Sequence, residues 1–167
     1  MGLWRRIRGS APGRKEAAEQ FQLGIHYFRL VTGDRGANLL RAIECYTGAL
    51  RFYTAEAAPL DYAGTQNNLG TAYTELLAGD RAANLQRAIG CYTEALRLRT
   101  AEAAPADNRQ TALNLASIHF SEGRWEQAHG FYASAIAAGD LLYKASATEA
   151  GRQAELGEAG HAIADDA

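Results

Sequence analysis

Cysteine, proline and methionine are scarce in this 167-residue chain, with two, three and one copies respectively. Two thiols cannot staple a small secreted scaffold, which needs several paired cysteines. No apolar run approaches the ~20 residues that cross a bilayer. The opening MGLWRRIRGSAPG is followed by polar residues rather than an apolar core, so it does not read as a secretory signal, and a reducing cytoplasm is the expected location. Charge of one sign is also lacking. Seventeen basic against 19 acidic residues leave a net charge of −2, which argues against a nucleic-acid binder. There is no phosphate-binding glycine loop and no GxSxG turn. The four histidines, His26, His119, His129 and His161, show no ligand spacing with a third donor. No catalytic constellation, metal or cofactor is expected, and the chain reads as non-enzymatic.

What the chain does have is a repeat. Residues 33–62 and 79–108 align with a constant offset of 46, and 22 of these 30 positions are identical. The copies begin GDRGANLLRAIECYTGAL and GDRAANLQRAIGCYTEAL and both run on through TAEAAP. Self-similarity at a fixed period of this size marks a repeat array. Leu39, Ile43, Tyr46 and Leu50, like Leu85, Ile89, Tyr92 and Leu96, recur at spacings of three and four, which makes one apolar stripe on a helix. Asn38 and Asn84 precede these stripes and are read as helix N-caps. Pro59 and Pro105 follow them and are read as stops, because the residue before proline is pushed out of the helical region.

The pattern predicts seven helices, over about 14–32, 39–57, 60–78, 85–103, 106–121, 125–138 and 140–157. Gly-Asp-Arg turns separate the early pairs, and Gly139-Asp140 breaks the last two. Residues 1–13 form a basic segment in which Leu3, Trp4 and Ile7 share one side. It is read either as a frayed end or as a foot that touches a membrane or partner. Residues 158–167 are small and acidic and read as a disordered tail.

On these residues the chain resembles the tetratricopeptide repeat family. The core pattern of that family matches Leu23, Gly24 and Tyr27 with Ala42, Tyr46 and Ala49. It recurs at Leu69, Gly70 and Tyr73 with Ala88, Tyr92 and Ala95, and again at Leu115, Ala116 and His119 with Ala128, Tyr132 and Ala135. The first two repeats carry six residues more than the usual spacing. This long variety is similar to arrays in bacterial and fungal multidomain signalling proteins, some attached to caspase-like peptidases. The resemblance implies an all-α, right-handed α-solenoid. It has repeats at about 17–58, 59–104 and 105–138 and a C-terminal capping helix at 140–157, within a domain spanning 14–157.

It also implies a concave groove, lined by the first helix of each repeat, that holds a protein or peptide. Carried over by position, the groove residues are Phe21, Ile25, Phe28 and Arg29, then Asn67, Asn68, Thr71, Thr74 and Glu75, then Gln110, Leu113, Asn114, Ser117 and Phe120. A carboxylate clamp of lysines and arginines does not match, because Phe21, Ile25, Leu113 and Ser117 stand at four of its positions. Cys45 and Cys91 occupy equivalent points and read as small core residues. Three functional expectations follow. The first is an interaction scaffold or adaptor, with self-association through the repeat ends. The second is a regulatory subunit of an effector such as a caspase-like peptidase. The third is tethering through residues 1–13.

Overall fold

The computed structural model describes residues 12–164, with side chains for 13–150. The basic segment carrying Leu3, Trp4 and Ile7 lies outside the described residues, apart from the backbone of Pro12 and Gly13 onward. The described residues form six α-helices: α1 (Pro12–Arg29), α2 (Arg35–Ala49), α3 (Pro59–Glu75), α4 (Arg81–Leu98), α5 (Pro105–Ser121) and α6 (Trp125–Ala164). No strand occurs among the described residues, so the chain is all-α as the periodicity predicts. It divides into two compact units, one ending at Leu98 and the other starting at Arg99.

In the first unit α1 packs on α2, α3 on α4, and α2 also on α3, an arrangement consistent with a helical repeat. One apolar cluster joins Leu39, Ala42, Ile43 and Tyr46 of α2 to Leu69 and Ala72 of α3, with Leu76 just beyond it. A smaller cluster gathers Ala17, Ala49, Tyr53 and Ala58. The close approach within each pair depends on glycine. A Cβ built on Gly24 would lie 2.6 Å from the Tyr46 ring, and one on Gly70 would lie 2.9 Å from the Tyr92 ring. Both rings are almost wholly buried. In the second unit α5 packs on α6. Ala116 stands in place of the glycine there and is fully buried, and Tyr132, the counterpart of Tyr46, is 38% exposed.

The identical GDR-x-A-N phrase explains both early turns. Gly33 and Gly79 adopt φ of 80° and 79°, the left-handed region that costs a residue with a Cβ. Asp34 then caps α2 by accepting the Ala37 N–H at 2.8 Å, and Asp80 accepts those of Ala82 and Ala83 at 2.9 and 3.2 Å. Arg35 donates back to the Phe28 carbonyl and Arg81 to the Thr74 carbonyl, so each turn is tied to the helix it leaves. The asparagines finish the tie. Asn38 Nδ2 donates to the carbonyls of Leu30 (3.4 Å) and Thr32 (2.9 Å), and Asn84 Nδ2 to those of Leu76 (3.2 Å) and Ala78 (3.0 Å). The Leu30 and Leu76 carbonyls lie just past the ends of α1 and α3, and those of Thr32 and Ala78 lie in the turns that follow.

Several expectations are corrected by this geometry. Asn38 and Asn84 are not N-caps. The helices start three residues earlier, and aspartate does the capping. Pro59 and Pro105 do not stop α2 and α4; they open α3 and α5 at the first helical positions, where the missing N–H costs nothing. The helices before them end at Ala49 and Leu98. The TAEAAP phrase forms a turn in which Thr54 and Thr100 hydroxyls accept the N–H groups of Ala57 (3.1 Å) and Ala103 (3.2 Å).

The predicted sixth and seventh helices are one. α6 runs through Gly139-Asp140 and on across 158–164, where a disordered tail was expected. No asparagine tie or proline follows Gly139, a single helical glycine costs only about 1 kcal/mol, and Ala, Glu, Gln and Arg beyond it favour helix. The third turn, at Gly123 (φ 72°), is also built differently. The Arg124 N–H reaches back to the His119 carbonyl at 2.8 Å and the Glu122 N–H to Ile118 at 3.1 Å, a glycine-dependent helix end that needs no longer connector.

Candidate functional site

The first unit carries a hollow of about 160 Å³ lined by Ile25, Phe28 and Arg29 of α1, Tyr46 of α2, and Asn68 and Thr71 of α3. Helical spacing sets it up. Residues 25, 28 and 29 share one side of α1, and 68 and 71 share one side of α3. Tyr46 forms the floor, tilted against Phe21 with ring centroids 6.0 Å apart. Burial pushes its hydroxyl up to about 12, with the nearby Arg29 only partly opposing. The phenol therefore stays neutral and cannot serve as a base at ordinary pH. Phe21 belongs to the packing beneath the hollow, where it touches both apolar clusters.

Polar groups around the hollow divide into those already engaged and those on offer. Thr71 Oγ1 donates to the Asn67 carbonyl (3.0 Å) and accepts from the Tyr92 hydroxyl (3.1 Å). Thr74 Oγ1 donates to the Gly70 carbonyl at 2.9 Å and lies 3.5 Å from the same phenol. Both threonines thus hold Tyr92 in place. Glu75 pairs with Arg35, whose guanidinium also lies 5.0 Å from the centre of the Phe28 ring and binds the Phe28 carbonyl. This Phe28–Arg35–Glu75 group links α1, α2 and α3 at one end of the hollow. Arg35 shares its place with Arg81 in the repeated phrase, a signal in the sequence that does not name its partners. Asn68 Oδ1 sits 3.5 Å from Asn67 Nδ2, a long contact that leaves the Asn68 amide able to bond a ligand. Arg29 is exposed and enters none of the ion pairs among the described residues.

The second unit positions the other expected residues. Gln110 donates to Asn114 Oδ1 at 3.2 Å, and Ser117 is exposed. Phe120 is exposed and meets Trp125 edge-on at 4.8 Å. Leu113 faces a second hollow, of about 390 Å³, shared with Tyr132, Ile136 and Leu142 and edged by Arg109 and Asp140. Sequence reading missed this hollow because residues 132–142 were divided between two helices.

Reactive chemistry finds little support. Burial raises the Cys91 thiol to about 11, and burial with the nearby Glu44 carboxylate raises that of Cys45. Protonated thiols are poor nucleophiles. His119 stacks on Phe131 with centroids 5.4 Å apart, and its pKa is lowered first by burial and then by Arg124. Among the described residues no three histidine, cysteine or carboxylate side chains could share a metal, and no helix is long and apolar enough to cross a membrane. Compared with protein-family models, curated proteins and solved structures, the chain matches none.

Proposed function

We propose that the chain is a non-enzymatic protein–protein interaction module, a cytoplasmic scaffold or adaptor built as a tetratricopeptide-like α-solenoid of three helix pairs. In this reading the C-terminal half of α6 takes the capping role. The observation that carries the proposal is the hollow of the first unit. Five residues that the resemblance places in a ligand groove, Ile25, Phe28, Arg29, Asn68 and Thr71, surround one cavity with a buried phenol beneath them. A cavity of this size takes one bulky apolar side chain. Arg29 adds a cation, and Asn68 adds an amide that can bond an extended backbone. The expected ligand is a peptide segment with an apolar anchor beside a carboxylate.

Panning a random displayed-peptide library on the intact chain tests this. Enriched peptides should share an aliphatic or aromatic anchor with a neighbouring Asp or Glu, and Asn68→Arg should reduce their affinity about tenfold or more. Failure to enrich any peptide, or enriched peptides indifferent to both Asn68→Arg and Arg29→Glu, would overturn the proposal.

A further inference from the structure

The repeat allows the two ends of the chain to be compared with its middle, and α6 differs from α2 at one face. With the second helices aligned at Ala42 and Ala128, Leu39 corresponds to Trp125, Tyr46 to Tyr132 and Leu50 to Ile136. Leu39 and Tyr46 are each 1% exposed, and both belong to the cluster that Leu69 and Ala72 of α3 complete with Leu76 just past its end. Their counterparts are uncovered: Trp125 is 61% exposed, Tyr132 38% and Ile136 65%. Tyr143, seven residues beyond Ile136 and so almost on the same line, is 75% exposed. Trp125 to Tyr143 spans about 27 Å of helix, and the 17-residue α3 is about 26 Å long. A row of large apolar side chains of this length is more than scattered surface exposure.

We propose that this face of α6 docks an amphipathic helix built like α3, supplied by a partner protein. The interior of the chain specifies its chemistry. Leu69, Ala72 and Leu76 give the apolar pattern Leu-x-x-Ala-x-x-x-Leu, with alanine at the closest approach, where Ala72 is fully buried. Charge fixes the direction. Asp61, in the first turn of α3, pairs at 3.4 Å with Arg14 near the start of α1. The counterpart of Arg14 in α5 is Ala106, but Arg109, about one turn further along, stands at the edge of the second hollow against Gly139 and offers a cation to a first-turn carboxylate there. The docking helix therefore runs antiparallel to α6 with its acidic N-terminus beside Arg109 and Gly139. An apolar side chain enters between Leu113, Tyr132 and Ile136. A second copy of this chain does not supply this helix through α1. His26 stands there in place of Ala72 and Glu19 in place of Thr65, both fully buried positions in α3.

The test uses a fluorescent peptide of residues 59–77 of this chain, stapled on its outer side so that helix formation is not the limiting step, titrated into the full-length protein by anisotropy. Saturable binding is expected. It should weaken at least tenfold with Ile136→Asp in the protein or with Ala72→His in the peptide, threefold or more with Arg109→Glu, and not at all with Val31→Asp, an exposed control. Circular dichroism checks that each variant keeps its helix. Absence of binding, or binding unchanged by Ile136→Asp, overturns the proposal. So does a full-length protein that sediments as a dimer and becomes monomeric with Ile136→Asp, which would make a second copy the occupant.

Discussion

Two glycines in the same helix-rich unit should respond to alanine with opposite signs. Gly24 lies in α1 against Tyr46, and an added Cβ would fall 2.6, 2.7 and 3.1 Å from three ring carbons. Those separations are roughly 1 Å inside ordinary carbon contact of about 3.5–4 Å. The ring is 1% exposed and packed against Phe21, so it can give way only by tilting into the hollow that it borders. Overpacking of this kind costs about 1–3 kcal/mol, and a clash with a buried ring belongs near the upper end. Alanine returns about 1 kcal/mol as the better helix former. Gly24→Ala should therefore destabilise by about 2 kcal/mol. Gly90, in α4, has nothing within 4 Å of an added Cβ, so Gly90→Ala should stabilise by up to about 1 kcal/mol. Gly70, whose nearest ring carbon would be 2.9 Å away, should fall between them. Urea unfolding followed by circular dichroism at the helix minimum gives the three shifts on one unit of structure. A Gly24→Ala protein as stable as the parent, or a Gly90→Ala protein less stable than Gly70→Ala, would refute the assignment of these glycines to ring contact.

Asn84→Ala should cost about 1–2 kcal/mol, because the buried Leu76 carbonyl loses its donor, while the carbonyl of the exposed Ala78 can turn to water; the same urea assay reads it, with the exposed Gln86→Ala as reference. A pH effect is expected from His119. Its folded pKa lies below the unfolded value of about 6.5, so the neutral ring's contribution is present above pH 6.5 and is lost as pH falls through the folded pKa. His119→Tyr, which installs the residue of the first two repeats, should remove that acid-side loss, as thermal melts between pH 7.5 and 5 would show.

The stripes around Tyr46 and Tyr92 were legible because burial on one helix face leaves a period of 3.6 in the sequence, and the 46-residue offset repeats it. Gly24 and Gly70 came from the family resemblance, which puts small residues opposite large rings. Boundaries were harder. Asn38 satisfies the local rule for a cap, yet its amide acts on carbonyls six and eight residues earlier, a partnership that no local rule encodes. Pro59 fits equally the end of one helix and the start of the next. Gly139-Asp140 has the dipeptide of the earlier turns without the Arg and Asn that fasten them, so the helix passes through it. At the hollow, Asn68 and Arg29 were found by analogy of position, whereas Arg35 acts through Phe28 and Glu75 and became visible only in three dimensions.

The fastened turns also bear on how such a chain can be lengthened. Each 46-residue block holds its own glycine hinge, aspartate cap, arginine and asparagine ties and the TAEAAP turn, and every one of those bonds closes within the block or onto the helix just before it. In-frame duplication of the coding segment for residues 33–78 would therefore deliver a complete joint along with the new helices. The third turn, secured by backbone bonds around Gly123 with an Arg124–Glu122 pair, lacks the aspartate cap and the asparagine tie, which makes residues 33–78 the natural cassette for building longer versions of this protein.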